Sequence, residues 1–146
     1  LRPLKGTIET FITRSKRNRQ LMTADDFKGK KAITKYSTIK VFNKKDIPKI
    51  SLIEFELETG RTHQIRVHMI YKGTSLLGDQ KYRKKNLNFK KIDKTFEEIL
   101  SSFKGQVLHA ATLGFNHPRN LKKVEFKTKL PLKFKKLVDF LENLKN

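Results

Sequence analysis

Glu58-Thr59-Gly60-Arg61-Thr62-His63-Gln64-Ile65-Arg66-Val67-His68 sets two arginines and two histidines in one short segment. Gly60 permits the backbone conformation a strand exit needs, Thr62 is a good N-cap, and Gly73 can end a helix in a left-handed cap. The stretch is therefore expected to run strand, tight turn, helix. In that helix Ile65 and Met69 fall one turn apart on the inner face, while Arg66 projects from the adjacent flank near the positive N-terminal end. A guanidinium placed there attracts an anion. Taken alone, the stretch is better read as a buried ion-pair cluster or a solvated basic turn than as a site.

Upstream, Lys31 to Phe42 is rich in β-branched residues, and Ile33, Lys35, Ser37, Ile39 and Val41 alternate with Ala32, Thr34, Tyr36, Thr38, Lys40 and Phe42. In Ile50 to Glu58, Ile53, Phe55 and Leu57 share one face while Glu54 and Glu56 point to the other. The two stretches are expected to form an antiparallel hairpin joined by Asn43 to Lys49. Downstream, Lys94 to Phe103 is expected to be helical. Val107 to Phe115 and Lys122 to Thr128 are expected to form a second hairpin around Asn116-His117-Pro118-Arg119-Asn120. Pro131 suits a first helical position, and Leu130, Phe134, Leu137, Leu141 and Leu144 form a core stripe on a final helix. The expected class is α+β, a mixed, largely antiparallel sheet with packed helices.

With 146 residues the chain holds one modest domain, and Lys and Arg outnumber Asp and Glu by 34 to 14. The net charge of +20 favours a polyanionic partner, RNA or DNA, through counterion release. Local density peaks at Arg14-Ser15-Lys16-Arg17-Asn18-Arg19 and at Lys81-Tyr82-Arg83-Lys84-Lys85. The absence of cysteine excludes disulfides and thiolate metal sites. His63 and His68, five positions apart, lie on different flanks of a helix, so no metal site is expected. No apolar stretch reaches the ~20 residues of a membrane span, and a cytoplasmic protein is expected. Leu1 in place of methionine suggests that the gene starts further upstream.

Several ordered segments carry a family resemblance. The stretch quoted first resembles the signature of the RluA-type RNA pseudouridine synthases. It is followed in order by Leu76-Leu77-Gly78-Asp79-Gln80-Lys81-Tyr82, Leu108-His109-Ala110 and Leu113-Gly114-Phe115-Asn116-His117-Pro118. Gly29 to Tyr36 resembles the family's lead-in strand, and Gly6-Thr7-Ile8 with Ile12, Arg14, Arg19 and Met22 resembles the segment before it.

The resemblance implies an enzyme that isomerises specific uridines of large-subunit ribosomal RNA without a cofactor. The family's nucleophile is an aspartate on a motif upstream, and no Arg-Leu-Asp occurs here. Residues 1–146 are then the C-terminal portion of an incomplete pseudouridine synthase catalytic domain, inactive alone. Arg66 matches the arginine that pairs with that aspartate, and is expected to be catalytic by holding it through two parallel hydrogen bonds. Ile65 matches the apolar position near the target base, and a core isoleucine accounts for it equally well. Arg61, His63 and Gln64 are placed to orient the active-site loops or contact substrate phosphate, with a satisfied structural polar group expected of each ahead of direct catalysis. Glu58 and Asp79 match a strand end and a structural turn, not the nucleophile. His109 and His117 are expected to be hydrogen-bonded structural histidines. The alternative reading is a non-catalytic RNA-binding module or degenerate paralogue.

Overall fold

The computed structural model describes residues 1–43, 47–83 and 93–144. Parts of the loop after Asn43 and of the basic run ending at Lys85 thus lie outside the described residues. Six strands and three helices follow in chain order: β1 Lys5–Arg14, β2 Met22–Asp25, β3 Lys30–Phe42, β4 Ile50–Leu57, α1 Gln64–Tyr71, α2 Lys94–Ser101, β5 Thr112–Asn116, β6 Lys123–Lys127 and α3 Leu132–Asn143. The class is α+β, as the alternation and periodicity suggest.

β2, β1, β3 and β4 form one antiparallel sheet in that spatial order, and β5 pairs with β6 in a separate hairpin. The β3–β4 pair matches the expected hairpin. β1 and β2 extend it on the side where no strands were expected. Their alternation is nevertheless in the sequence: Ile8, Thr10 and Ile12 are buried while Lys5, Thr7 and Glu9 face solvent.

A bulge in β3 decides how the sheet is covered. Thr38 pairs with Ile53 and Lys40 with Leu52, so Ile39 is the extra residue. Before it, Ala32, Thr34 and Tyr36 point toward α1; after it, the same parity carries Lys40 and Phe42 to the opposite face. There Phe42 and Ile50 pack with Phe96 of α2 and with Leu137 and Leu141 of α3. Lys40 pairs with Glu142 of α3 at 2.7 Å. Leu57, placed with Ile53 and Phe55 by its parity, lies at the strand end and stays exposed.

Three other expectations need correction. Val107 to Ala111 is not strand, because β5 begins at Thr112. Pro131 is the residue before the first turn of α3 rather than its first helical position, which leaves Leu130 outside the helix and exposed. Nε2 of His109 is buried and has no hydrogen-bond partner among the described residues. Of the described helices, none is long and apolar enough to cross a membrane.

Candidate active site

α1 is short, and a helix of its length is held by packing rather than by propensity. Val67 fits against Ile12, Ala32 and Tyr82, while Met69 meets Ile8 and Tyr36. Burying each such side chain contributes roughly 1.5–3 kcal/mol. Gly73, at φ 77°, closes the helix in the expected left-handed conformation.

The helix start differs from expectation. Thr62 is exposed and caps nothing; the N-cap is His63, left-handed at φ 57°, with no side-chain cap. Gln64 Oε1 instead accepts from the N–H of Arg61, two residues before the N-cap, at 2.9 Å, and ties the entering turn to the helix start. The same oxygen accepts from the Thr59 hydroxyl at 2.9 Å. Nε2 of Gln64 donates to the Ile33 carbonyl at 3.0 Å and to Thr34 Oγ1 at 2.9 Å. Gln64 is thus buried, with both ends of its amide engaged inside the protein. Arg61 reaches the same strand from the surface, its Nε donating to the Lys31 carbonyl at 2.8 Å.

His68 continues this network beneath the helix. Its ring nitrogens lie 3.1 Å from Thr10 Oγ1 and 2.8 Å from Thr34 Oγ1, with no solvent exposure. Burial pushes its pKa down to about 4. Neutral imidazole, one nitrogen donating and one accepting, suits two hydroxyls.

Arg66 sits on the other flank of α1, where the chemistry gathers. Its Nε donates to Asp79 Oδ2 and its Nη2 to Asp79 Oδ1, both at 2.7 Å. The Asp79 side chain is fully buried and that of Arg66 is 11% exposed. Asp79 Oδ1 also accepts from the Lys81 and Tyr82 N–H groups at 3.0 and 2.9 Å, so the carboxylate organises its own turn. The turn is entered through Gly78, at φ 72°, where a Cβ would strike the Gly105 carbonyl. Burial pushes the Asp79 carboxyl up, but the Arg66 hydrogen bond and the backbone N–H groups pull harder and leave it below its ordinary value. Arg66 is raised by its hydrogen bond to Asp79 against the cost of burial.

Tyr82 closes the cluster. Its ring lies under the Arg66 guanidinium, 4.6 Å from centroid to Cζ. Its hydroxyl accepts from the Met22 N–H at 2.7 Å and lies 3.0 Å from His63 Nδ1. His63 also meets the Tyr82 ring edge-on, at 5.4 Å between centroids. Burial, then the positive charges of Arg66 and Lys81, hold the His63 imidazole below its ordinary pKa despite Asp79.

Arg66 and His63 are therefore brought together through Tyr82, while Arg61 and Gln64 belong to the structural network. Ile65 packs at the edge of the cluster of Ile8, Tyr36 and Met69. The Asp79–Arg66 pair and the Tyr82 platform were not foreseen. One signal for the first exists: Asp79 is the sole acidic residue between Glu58 and Asp93, in a stretch crowded with lysine and arginine. Among the described residues no three His, Cys, Asp or Glu gather to hold a metal ion.

The sequence profile described as RNA pseudouridylate synthase matches residues 2–71. An uncharacterized RNA pseudouridine synthase of Bacillus subtilis is 43% identical over 96% of this chain and 39% of its own length. The chain belongs to the RNA pseudouridylate synthase family. Family members named ribosomal large subunit pseudouridine synthase D are similar at comparable levels. That of Zymomonas mobilis is 43% identical over 88% of this chain, and that of Haemophilus influenzae 37% identical over 94%. The chain spans 38% and 40% of those two relatives. The solved structure of human RNA pseudouridylate synthase domain containing 1 superposes with a TM-score of 0.65 at 20% identity, over 99% of this chain and 62% of that one. The fold is thus a pseudouridylate synthase fold, and the Arg66 cluster lies within it or just beyond the matched profile.

Proposed function

We propose that this chain is the downstream portion of the catalytic domain of an enzyme that converts uridine to pseudouridine in large-subunit ribosomal RNA, and that a segment outside it supplies the nucleophilic aspartate. The observation that carries this reading is the state of Arg66. Asp79 takes the side edge of its guanidinium, Nε and Nη2, and Tyr82 takes one face. Of the five N–H donors of an arginine, the two of Nη1 and the second of Nη2 have no partner among the described residues, and one of each nitrogen forms the end-on edge. That edge suits a second carboxylate held by two parallel hydrogen bonds, kept ionised by the guanidinium and therefore able to attack. The fork expected for the nucleophile is thus the end-on one. Asp79 itself is fully buried, with three hydrogen bonds on Oδ1 and one on Oδ2, so it serves the arginine and its own turn rather than a substrate. Ile65 lies beside Arg66 as the apolar neighbour of a base flipped from its stack, and the charge of +20 supplies affinity for RNA.

The test is pseudouridine formation in large-subunit ribosomal RNA, measured for the purified chain and for a longer polypeptide in which the chain follows an aspartate-bearing upstream segment. The chain alone gives no product and the longer polypeptide does. Arg66→Ala in the latter lowers turnover by orders of magnitude, and Arg66→Lys restores it only in part because an ammonium lacks the planar fork. Turnover by the isolated chain overturns the assignment of the missing nucleophile. RNA binding without product from either polypeptide assigns the chain to a non-catalytic RNA-binding module instead, a role its charge alone would support.

A further inference from the structure

We propose that Asp79 and Tyr82 are positioning residues for Arg66: together they lock the side edge and one face of its guanidinium, so that only the end-on edge is presented to the anionic group of the site. The inference rests on the reading of Arg66 given above and adds to it a reason why the arginine is ready before its partner arrives.

The lock has three parts. The two bonds from Asp79 fix the guanidinium in its own plane, because Nε and Nη2 are held by two different carboxylate oxygens at equal length. The Tyr82 ring fixes it out of plane. Asp79 is in turn immobilised by two backbone N–H groups of its own turn, and Tyr82 by the backbone of β2 through the Met22 N–H. The Tyr82 hydroxyl accepts from the Met22 N–H and has its own hydrogen to offer His63 Nδ1, a pairing that suits the imidazole tautomer protonated on Nε2. α1, the Gly78–Tyr82 turn and β2 thereby converge on one guanidinium. A lone arginine loses rotational freedom when it binds an anion; this one has lost it on folding. Asp79 also offsets much of the Arg66 charge, so a carboxylate at the end-on edge is oriented by hydrogen bonds more than it is attracted by net charge.

The first measurement uses the 146-residue chain unchanged. In its 15N spectrum the Arg66 Nε–H is expected as a separate, slowly exchanging resonance at neutral pH, shifted from the pooled signal of the other arginines. An Arg66 signal that merges with the solvent-exposed pool overturns the lock. The second uses the active longer polypeptide with Asp79→Asn, an isosteric change that keeps the turn acceptor and removes the charge and one bond to Arg66. Turnover number is expected to fall by about 10²-fold, the loss typical of a misplaced group, with KM for RNA within about twofold. The acid limb of the turnover–pH profile is expected to move to lower pH, because the nucleophile then faces an Arg66 no longer offset by Asp79. In an Arg66→Ala background Asp79→Asn is expected to cost nothing further, since Asp79 acts only through Arg66. An unchanged acid limb, or a loss that persists without Arg66, assigns Asp79 to fold maintenance and overturns the proposal. If Arg66→Ala is fully active, the reading of Arg66 falls; if it is inactive while Asp79→Asn is normal, only the positioning role falls.

Discussion

Between α1 and the sheet, Thr10 and Thr34 of the strands and Gln64 and His68 of the helix are buried, and each has a hydrogen-bonded partner inside the protein. In the β5–β6 hairpin the balance is inverted. Leu113 pairs across from Phe126 and Phe115 from Val124, so four apolar side chains share one face. Leu113, Phe126 and Phe115 remain 61%, 58% and 43% exposed, and none of the four joins a core cluster of the described residues. One region spends polar groups inside and the other leaves apolar groups outside. The contrast says where structural specificity resides. A buried network tolerates one register only, because a shifted helix would strand every member. A two-stranded ribbon held by its ladder and one Phe115–Phe126 stack has no comparable constraint. Arg66 is mounted on the specified region, which is what an aligned guanidinium requires.

The largest effect should come from breaking the network at its hub. Gln64→Leu keeps the volume and removes the amide, stranding the Arg61 N–H and leaving the Ile33 carbonyl, Thr59 and Thr34 with one partner each, the Glu58 N–H, the Ile33 N–H and His68. A stranded buried group costs about 1–3 kcal/mol and each further bond lost about 1, so a loss of roughly 3 kcal/mol is expected in urea melts of the chain. A loss under ~1 kcal/mol would mean that the apolar contacts of Val67 and Met69 alone position α1.

How much of this was legible beforehand depends on range. β3, β4 and the helix that follows are written in local patterns: alternation over Lys31 to Phe42, then Gly73 past the helix end. Thr62 is not the N-cap because the helix begins one residue later than the local pattern suggests, at a Gln64 anchored on β3. The bulge at Ile39 left no mark, because a β-branched residue in a strand reads the same whether paired or extra. In the site, Arg66 was legible from its motif. Its partner was not: thirteen positions separate it from Asp79, and only the turn at Gly78 brings them together. For Arg61 and Gln64 a satisfied structural role was expected, but not its partners, which come from β3, some thirty residues away.

An intermediate effect should appear with pH. His68 is neutral in the folded chain with its pKa lowered to about 4, against an ordinary 6.5. Between those values the unfolded chain binds more protons than the folded one. Stability contributed by the neutral ring is therefore fully present above pH ~6.5 and declines as pH falls toward ~4, by up to about 3 kcal/mol. Urea midpoints taken from pH 7 to pH 4.5 should fall steeply for the chain. In His68→Gln, whose amide can still meet both threonines, that part of the decline should vanish. Parallel curves for the two proteins would show that other groups govern acid sensitivity.

The smallest effect is expected in the hairpin. Leu113→Ser removes an apolar side chain from a face that water already reaches, so little transfer free energy is lost, and surface changes of this kind usually stay within ~0.5 kcal/mol. Met69→Ser, an equally polar replacement at a site with 1% exposure, should cost several kcal/mol, since truncating a buried methionine alone costs about 2–5. Hydrogen exchange sharpens the same point: amides of Thr112–Asn116 and Lys123–Lys127 should exchange well before those of β1 and β3. A hairpin as protected as the sheet, or a Leu113→Ser penalty near that of Met69→Ser, would mean that its apolar face is covered in solution and that the two regions are not opposites after all.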